Sequence, residues 1–185
     1  MPRVCLGAGH LAALFLATTS AGLGMHSASA SMLKPPAIES RNDTITATME
    51  IPAPPQKVWS VLTDYESTGS SMPDISSATV LQRSTNQVRL QHIYQAPYTF
   101  GLSIKATLHV KEVPKKSISY QLIEGNHIRN LSGIWTLKPI PGGTLLKHKI
   151  RLIPALPEML QPAFKKLSQA NLKQSLQLLR KLILQ

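Results

Sequence analysis

LPEMLQPAFKKLSQANLKQSLQLLRKLIL, residues 156–184, is the stretch whose reading decides the fold. After Pro157 it holds no Gly, and its one further proline, Pro162, falls in the first turns, where a missing N–H is tolerated. Leu, Lys, Gln, Ala and Met dominate it, and all are good helix formers. A single helix over Leu156–Leu184 is expected. At about 3.6 residues per turn, Leu160, Ala163, Phe164, Leu167, Leu178 and Leu182 share one face. Leu172, Leu176, Leu179 and Ile183 widen that face, and Lys166, Lys173 and Arg180 lie opposite. Such a helix needs an apolar surface to lie on. Asn171 and Gln174 interrupt its apolar face. They mark either a partly exposed helix edge or the border of a cavity.

The surface comes from the middle of the chain. Thr44–Ile51 alternates and is rich in β-branched residues, which predicts a strand. Pro52, Pro54 and Pro55 end it, and Pro55 can open a helix carrying Val58, Trp59, Val61 and Leu62. Asp64-Tyr65 and the Ser-rich run to Ser71 break that helix. Six further strands are expected over residues 76–83, 87–95, 99–113, 117–124, 130–140 and 144–153. Turn residues separate them: Ser84-Thr85-Asn86, Ala96-Pro97, Pro114-Lys115-Lys116, Gly125-Asn126 and Pro141-Gly142-Gly143. Short connections force antiparallel neighbours. Phe100, Leu102, Ile104, Ala106, Leu108 and Val110 alternate with Ser103, Lys105, Thr107, His109 and Lys111. Leu146, His148, Ile150 and Leu152 alternate in the same way with Lys147, Lys149 and Arg151. A sheet with one apolar and one polar face needs one cover, and only the terminal helix is long enough to supply it.

This order resembles the helix-grip domains of the START / polyketide-cyclase / coenzyme-Q-binding (SRPBCC) superfamily. Ile51 to Trp59 (IPAPPQKVW) is similar to that family's junction between first strand and first helix. Val61 to Tyr65 (VLTDY), then Met72 to Ile75 (MPDI), is similar to its first helix and turn. Gly133 to Leu137 (GIWTL), then Pro141 to Thr144 (PGGT), is similar to its sixth strand and following hairpin. The resemblance covers residues 44–184. It implies an α+β helix-grip fold, a seven-stranded antiparallel curved sheet wrapped around a long C-terminal helix. It also implies an elongated apolar cavity between the two, which relatives use for lipids, sterols, quinones or polyketides.

Strand parity gives the lining such a cavity would have. Leu90, Tyr94, Phe100, Leu102, Ile104, Tyr120, Leu122, Trp135, Leu146 and Ile150 are expected to face it, with Phe164 and Leu167 from the helix. The same residues would serve equally in a filled core. His92 shares parity with Leu90 and Tyr94, and His148 with Leu146 and Ile150. With Asn171 and Gln174 they are expected to make a polar end to an apolar pocket, the usual make-up of a ligand site.

The start of the chain reads as a targeting segment. Residues 1–30 hold one Arg and no acid, an apolar run from Leu11 to Leu16, and a small-x-small site at Ala28-Ser29-Ala30. That pattern is a signal peptide, with an uncleaved membrane anchor over Leu6–Met25 as the alternative. A lead-in segment, 31–43, then precedes the helix-grip domain, 44–185. Cys5 is the chain's one cysteine, so the remainder needs no disulfide in an oxidising compartment.

The whole chain has a formal net charge of +11. Residues 76–153 carry eleven basic and two acidic side chains, while residues 31–75 carry three and six. A basic surface suits an anionic membrane or an acidic protein, or is simply a solvated surface. Export argues against nucleic acid. No HExxH, CxxC or GxSxG spacing occurs, so neither a metal, a cofactor nor a hydrolase nucleophile is expected. The expected function is an exported, periplasmic or secreted carrier or sequestering protein for a lipid, an isoprenoid quinone or a similar hydrophobic molecule. Its rivals are a cyclase/dehydratase-type enzyme using an inward His, and a protein-interaction module on the same fold. Lys105, Lys111, Lys147, Lys149 and Arg151, on the sheet's outer face, are expected to dock transiently on anionic membrane.

Overall fold

The computed structural model describes residues 33–95 and 99–185. The signal segment and its anchor alternative therefore lie outside the described residues. Among those residues no helix is long and apolar enough to cross a membrane.

The chain forms an α+β helix-grip fold. The strands are β1 (Ala37–Arg41), β2 (Thr44–Ile51), β3 (Ile75–Arg83), β4 (Gln87–Tyr94), β5 (Ile104–Val113), β6 (Ser117–Gly125), β7 (Ile128–Ile140) and β8 (Gly143–Pro154). Helices α1 (Pro55–Thr63) and α2 (Tyr65–Ser70) fall between β2 and β3, and α3 (Gln161–Leu184) closes the chain. All strand pairs are antiparallel, in the order β1-β2-β8-β7-β6-β5-β4-β3. β2 and β3 thus lie far apart in the sheet, and α1 and α2 carry the chain between them.

The sheet has eight strands, not the expected seven. The extra one, β1, lies inside the segment read as a lead-in. Asn42, at φ 51°, turns the chain tightly so that Arg41 pairs with Thr44, and Asn tolerates that left-handed conformation better than most residues. β1 is an edge strand with a single apolar residue, Ile38, packed against the core. Five residues give too short an alternation to stand out.

β5 begins at Ile104, not Thr99. Phe100 (φ 54°) and Gly101 (φ 81°) both sit in the left-handed region and end the extended run. The break at Asp64 is as expected, but a second helix follows it at once: the Asp64 carboxylate accepts from Ser67 N at 3.4 Å and caps α2.

The end of the molecule around α1 is filled. Met49, Ile51, Val58, Leu137, Leu146 and Ile183 are buried there as part of one continuous core. There Thr144 Oγ1, fully buried, donates to Ala53 O at 2.8 Å. A smaller cluster, Leu156 and Phe164 with Leu102, Leu152 and Leu160, joins the start of α3 to the sheet.

α3 begins at Gln161, after a 3-10 turn at Glu158–Leu160. Its buried residues are Phe164, Ser168, Leu176, Leu179 and Ile183. The buried face is therefore rotated from the one read by counting leucines: Leu167 and Gln174 are exposed. Ser168 can be buried because its hydroxyl donates to Phe164 O at 2.7 Å, within the helix.

Candidate functional site

Between the sheet and α3 lies a largely apolar cavity of about 230 Å³. Ten of the expected lining residues meet there: Leu90, His92, Tyr94, Ile104, Tyr120, Trp135, His148, Ile150, Phe164 and Asn171. Six do not. Phe100, at the left-handed turn before β5, is 40 % exposed. Leu102 packs instead against Leu156 and Phe164. Leu146, 1 % exposed, is sealed in the filled end. Leu167 is turned outward by the rotation of α3 and is 36 % exposed. Leu122, half-buried, packs against the main core, and Gln174 is exposed.

Two His–Tyr pairs supply polarity. On β4, His92 and Tyr94 are two residues apart, so both project from one face. His92 Nδ1 lies 3.0 Å from the Tyr94 hydroxyl, with the rings edge to face. The second pair is assembled across strands: Tyr120 of β6 places its hydroxyl 2.8 Å from Nε2 of His148 on β8. Between them, Trp135 of β7 pairs with His148 in register and stacks on its ring, with centroids 3.6 Å apart and planes within 5°. In each pair the second imidazole nitrogen, His92 Nε2 or His148 Nδ1, is enclosed and has no hydrogen-bond partner among the described residues.

Burial sets the charge state of both pairs. It pushes His92 down to about 4 and His148 down to about 3, so both rings are neutral near pH 7. Burial raises Tyr94, and the nearby Asp74 raises it further. Burial also raises Tyr120, with a smaller contribution from Tyr94. The two tyrosines thus stay protonated and lie within electrostatic range of each other.

Several residues that shape the site went unread as site residues in the sequence. Asp74, part of the MPDI turn, lines the cavity and accepts from Ser175 Oγ of α3 at 3.4 Å. Gly133 makes room for Tyr120: a Cβ there would stand 2.5 Å from the tyrosine oxygen. Gly69 lets α2 approach the sheet, since a Cβ there would stand 2.5 Å from Ala78 Cβ and 3.7 Å from His92 Nε2. Both glycines were visible as letters, but neither has the positive φ or turn context that flags one in sequence. Tyr65, another lining residue, donates to Glu112 Oε1 at 2.8 Å. Arg83 lies 3.6 Å from Glu112 and 5.3 Å over the Tyr65 ring, fixing α2 as a wall. Burial first, then the Glu112 hydrogen bond, raises Tyr65.

The described residues contain no group of three or more His, Cys, Asp or Glu able to hold a metal ion. Among the described residues no Lys or Arg lines the cavity. Lys147, Lys149 and Arg151 are exposed on the opposite face of β8, and Lys105 and Lys111 on that of β5. β7 and β6 separate these two strands. Lys149, Ile134, Ser119 and Lys111 nevertheless share one cross-strand row.

Solved structures share the fold. TTHA0849 from Thermus thermophilus superposes with a TM-score of 0.69 at 21 % identity, over 76 % of this chain and 97 % of that one. The Zhui aromatase/cyclase from a Streptomyces species gives 0.67 at 15 %, over 76 % and 92 %. A START superfamily protein from Mycobacterium smegmatis gives 0.59 at 19 %, over 73 % and 94 %. No curated protein sequence is similar at a significant level. Residues 51–175, about two-thirds of the chain, match the family described as polyketide cyclase / dehydrase and lipid transport. That span takes in both His–Tyr pairs, the Trp135 stack and most of α3. The chain therefore belongs to this family, whose members are hydrophobic-ligand-binding or cyclase/dehydrase-type proteins.

Proposed function

We propose that this protein is an exported carrier or sequestering protein, which holds a hydrophobic small molecule such as a lipid or isoprenoid in the cavity beneath α3 and needs no cofactor. The observation that carries the reading is the cavity itself: apolar walls and a polar patch of neutral hydrogen-bonding His and Tyr side chains, with Asp74 also in the lining. Its volume of about 230 Å³ lies just under the roughly 300–1,000 Å³ usual for ligand clefts. That favours a compact ring system or a single chain over a two-chain phospholipid. The export half of the reading rests on the Ala28-Ser29-Ala30 pattern. Delivery by transient contact with anionic membrane rests on the basic outer face of β5 and β8.

The Tyr120–His148 pair is what favours the rival, a cyclase/dehydratase-type enzyme. A general base works best with a pKa near the working pH, and burial holds His148 near 3. That weighs toward binding.

Native mass spectrometry after gentle purification tests the proposal. A retained small hydrophobic molecule, recovered by organic extraction, is the expected result. An empty cavity with turnover of an added polyketone would replace the carrier with the enzyme. A co-purifying protein in its place would make this an interaction module.

A further inference from the structure

We propose that β1 is a self-association edge. Two copies of this chain pair their β1 strands antiparallel about a two-fold axis at Ser40, with Glu39 of each copy opposite Arg41 of the other. The pairing does not depend on what the cavity holds.

The two edges of the sheet differ in protection. At β3 the edge is closed by α2. Glu66 Oε1 accepts from Val80 N at 2.8 Å, and Arg83 Nη2 donates to Thr63 O at 3.1 Å. The β3–β4 register also shifts between Ile75 and Ser77 and between Val80 and Gln82. Charged side chains, bulges and a covering helix are the devices that keep a sheet edge from pairing with another strand. At β1 the register with β2 runs unshifted from Ala37↔Thr48 to Arg41↔Thr44. Among the described residues only β2 bonds to the β1 backbone. The two-residue turn Asn42-Asp43 makes Arg41 and Thr44 a hydrogen-bonded pair, so Ala37, Glu39 and Arg41 direct their backbone groups toward β2. Ile38 and Ser40 direct theirs to the open edge, where they form a template for a further strand.

The partner that fits this template is a second copy. In a two-fold contact the same patch meets itself. Centred on Ser40, the pairing sets Glu39 opposite Arg41 twice. Both side chains are exposed on the outer face, and neither has an ion-pair partner among the described residues. Unlike charges directly opposite stabilise a strand pair, and like charges destabilise it. The neighbouring registers lose this match. One sets Glu39 against Glu39, a second sets Arg41 against Arg41, and a third brings Pro36, which has no N–H, opposite Ser40. The two-fold axis stands perpendicular to the sheet. The outer faces of both copies, each with Lys147, Lys149 and Arg151, therefore lie on one side.

Sedimentation velocity of the intact protein, from about 1 µM to about 1 mM, tests this. So short a pairing is a weak interface, and a monomer–dimer Kd of roughly 10–100 µM is expected. Glu39→Arg or Arg41→Glu creates two like-charge pairs per dimer, and each should raise that Kd about tenfold. Both positions are exposed, so the monomer should keep its fold. Glu39→Arg combined with Arg41→Glu restores two unlike pairs and should return the Kd to within about threefold of wild type. Amide exchange at Ile38 and Ser40 should slow as the concentration rises through the Kd, while Glu39 and Arg41, already bonded to β2, should not change. Protein that stays monomeric at about 1 mM would overturn the proposal. A dimer indifferent to the single exchanges would also overturn it, by placing the contact elsewhere. Protection of Ile38 and Ser40 that does not vary with concentration would put another part of the same chain on this edge, and a second copy would then have no place there.

Discussion

Leu146 and His148 stand two residues apart on one face of β8, yet they belong to different regions of the molecule. Leu146 is 1 % exposed and sealed among residues of β2, α1 and the end of α3. His148 fronts the cavity, stacked on Trp135 and bonded to Tyr120. Both face inward by the same alternation. What differs is the layer above. Near Leu146, α1 and the C-terminal end of α3 contribute the fully buried Val58 and Ile183 to the core, and neither lines the cavity. Over the cavity, α3 presents Ser168, Asn171 and Ser175 among Phe164, Leu172, Leu176 and Leu179, and those three are too small or too polar to fill the space. Side-chain parity assigns a face, and the covering helix decides whether that face is filled or hollow.

The largest test of this contrast is Leu146→Ala. In a filled region it should cost about 3–4 kcal/mol, the lost transfer free energy plus a cavity, read by urea unfolding. A loss below about 1 kcal/mol would mean that this end is not packed.

The outer face of the same strand sharpens the contrast, because there exposure and not packing governs. Changing Lys147, Lys149 and Arg151 together to Gln should leave stability within about 0.5 kcal/mol. Binding to anionic vesicles should weaken by up to about 3 kcal/mol, at roughly 1 kcal/mol per cation, with a flatter salt dependence. Wild-type protein that ignores such vesicles at low salt would reduce this face to a solvated surface.

Acid distinguishes the hollow region from the filled one, which has no titrating group at its centre. Burial holds His92 near 4 and His148 near 3, against 6.5 in the unfolded chain. The unfolded chain therefore takes up these protons first. Their contribution is fully present above about pH 6.5 and is lost as the pH falls toward 4 and then 3. Acidification from pH 7 to 4 should remove on the order of 2–3 kcal/mol through these two groups, less than the full shifts imply because the cavity admits some solvent. Denaturant titrations at both pH values measure it. A double His→Phe variant that loses stability just as steeply would assign the acid sensitivity elsewhere.

The smallest expected effect is His148→Phe alone. A phenyl ring keeps the stack on Trp135 and orphans the Tyr120 hydroxyl, at a cost of about 1 kcal/mol. Ligand retention in native mass spectrometry should change more than stability does. A variant with unaltered retention would make His148 a space-filling residue like Leu146.

Much of this was legible in the sequence. Alternation in residues 104–113 and 144–153 marked the inward faces of β5 and β8, because a strand with one solvated side must alternate. The β-branched run over 44–51, the prolines at 52–55 and the long Gly-free helix gave the order of elements. His92 and His148 stood out as polar letters on apolar faces. Other features were hidden for physical reasons. β1 has one inward apolar residue, so no period could announce it. Phe100 and Leu102 continue the alternation of β5 in the sequence, but the left-handed Phe100-Gly101 turn takes them out of the strand.

By itself, then, the sequence determined which residues turn inward and that a long helix must cover them, because period and propensity are local properties of the chain. Only the tertiary structure decided that Tyr120 meets His148 across two strand pairings, that Gly133 leaves space for the tyrosine oxygen, and that α3 is rotated to bury Ser168 and expose Leu167. These depend on cross-strand register and on the rotation of a helix about its axis. Both are set by all the contacts at once, and no local stretch of sequence encodes them.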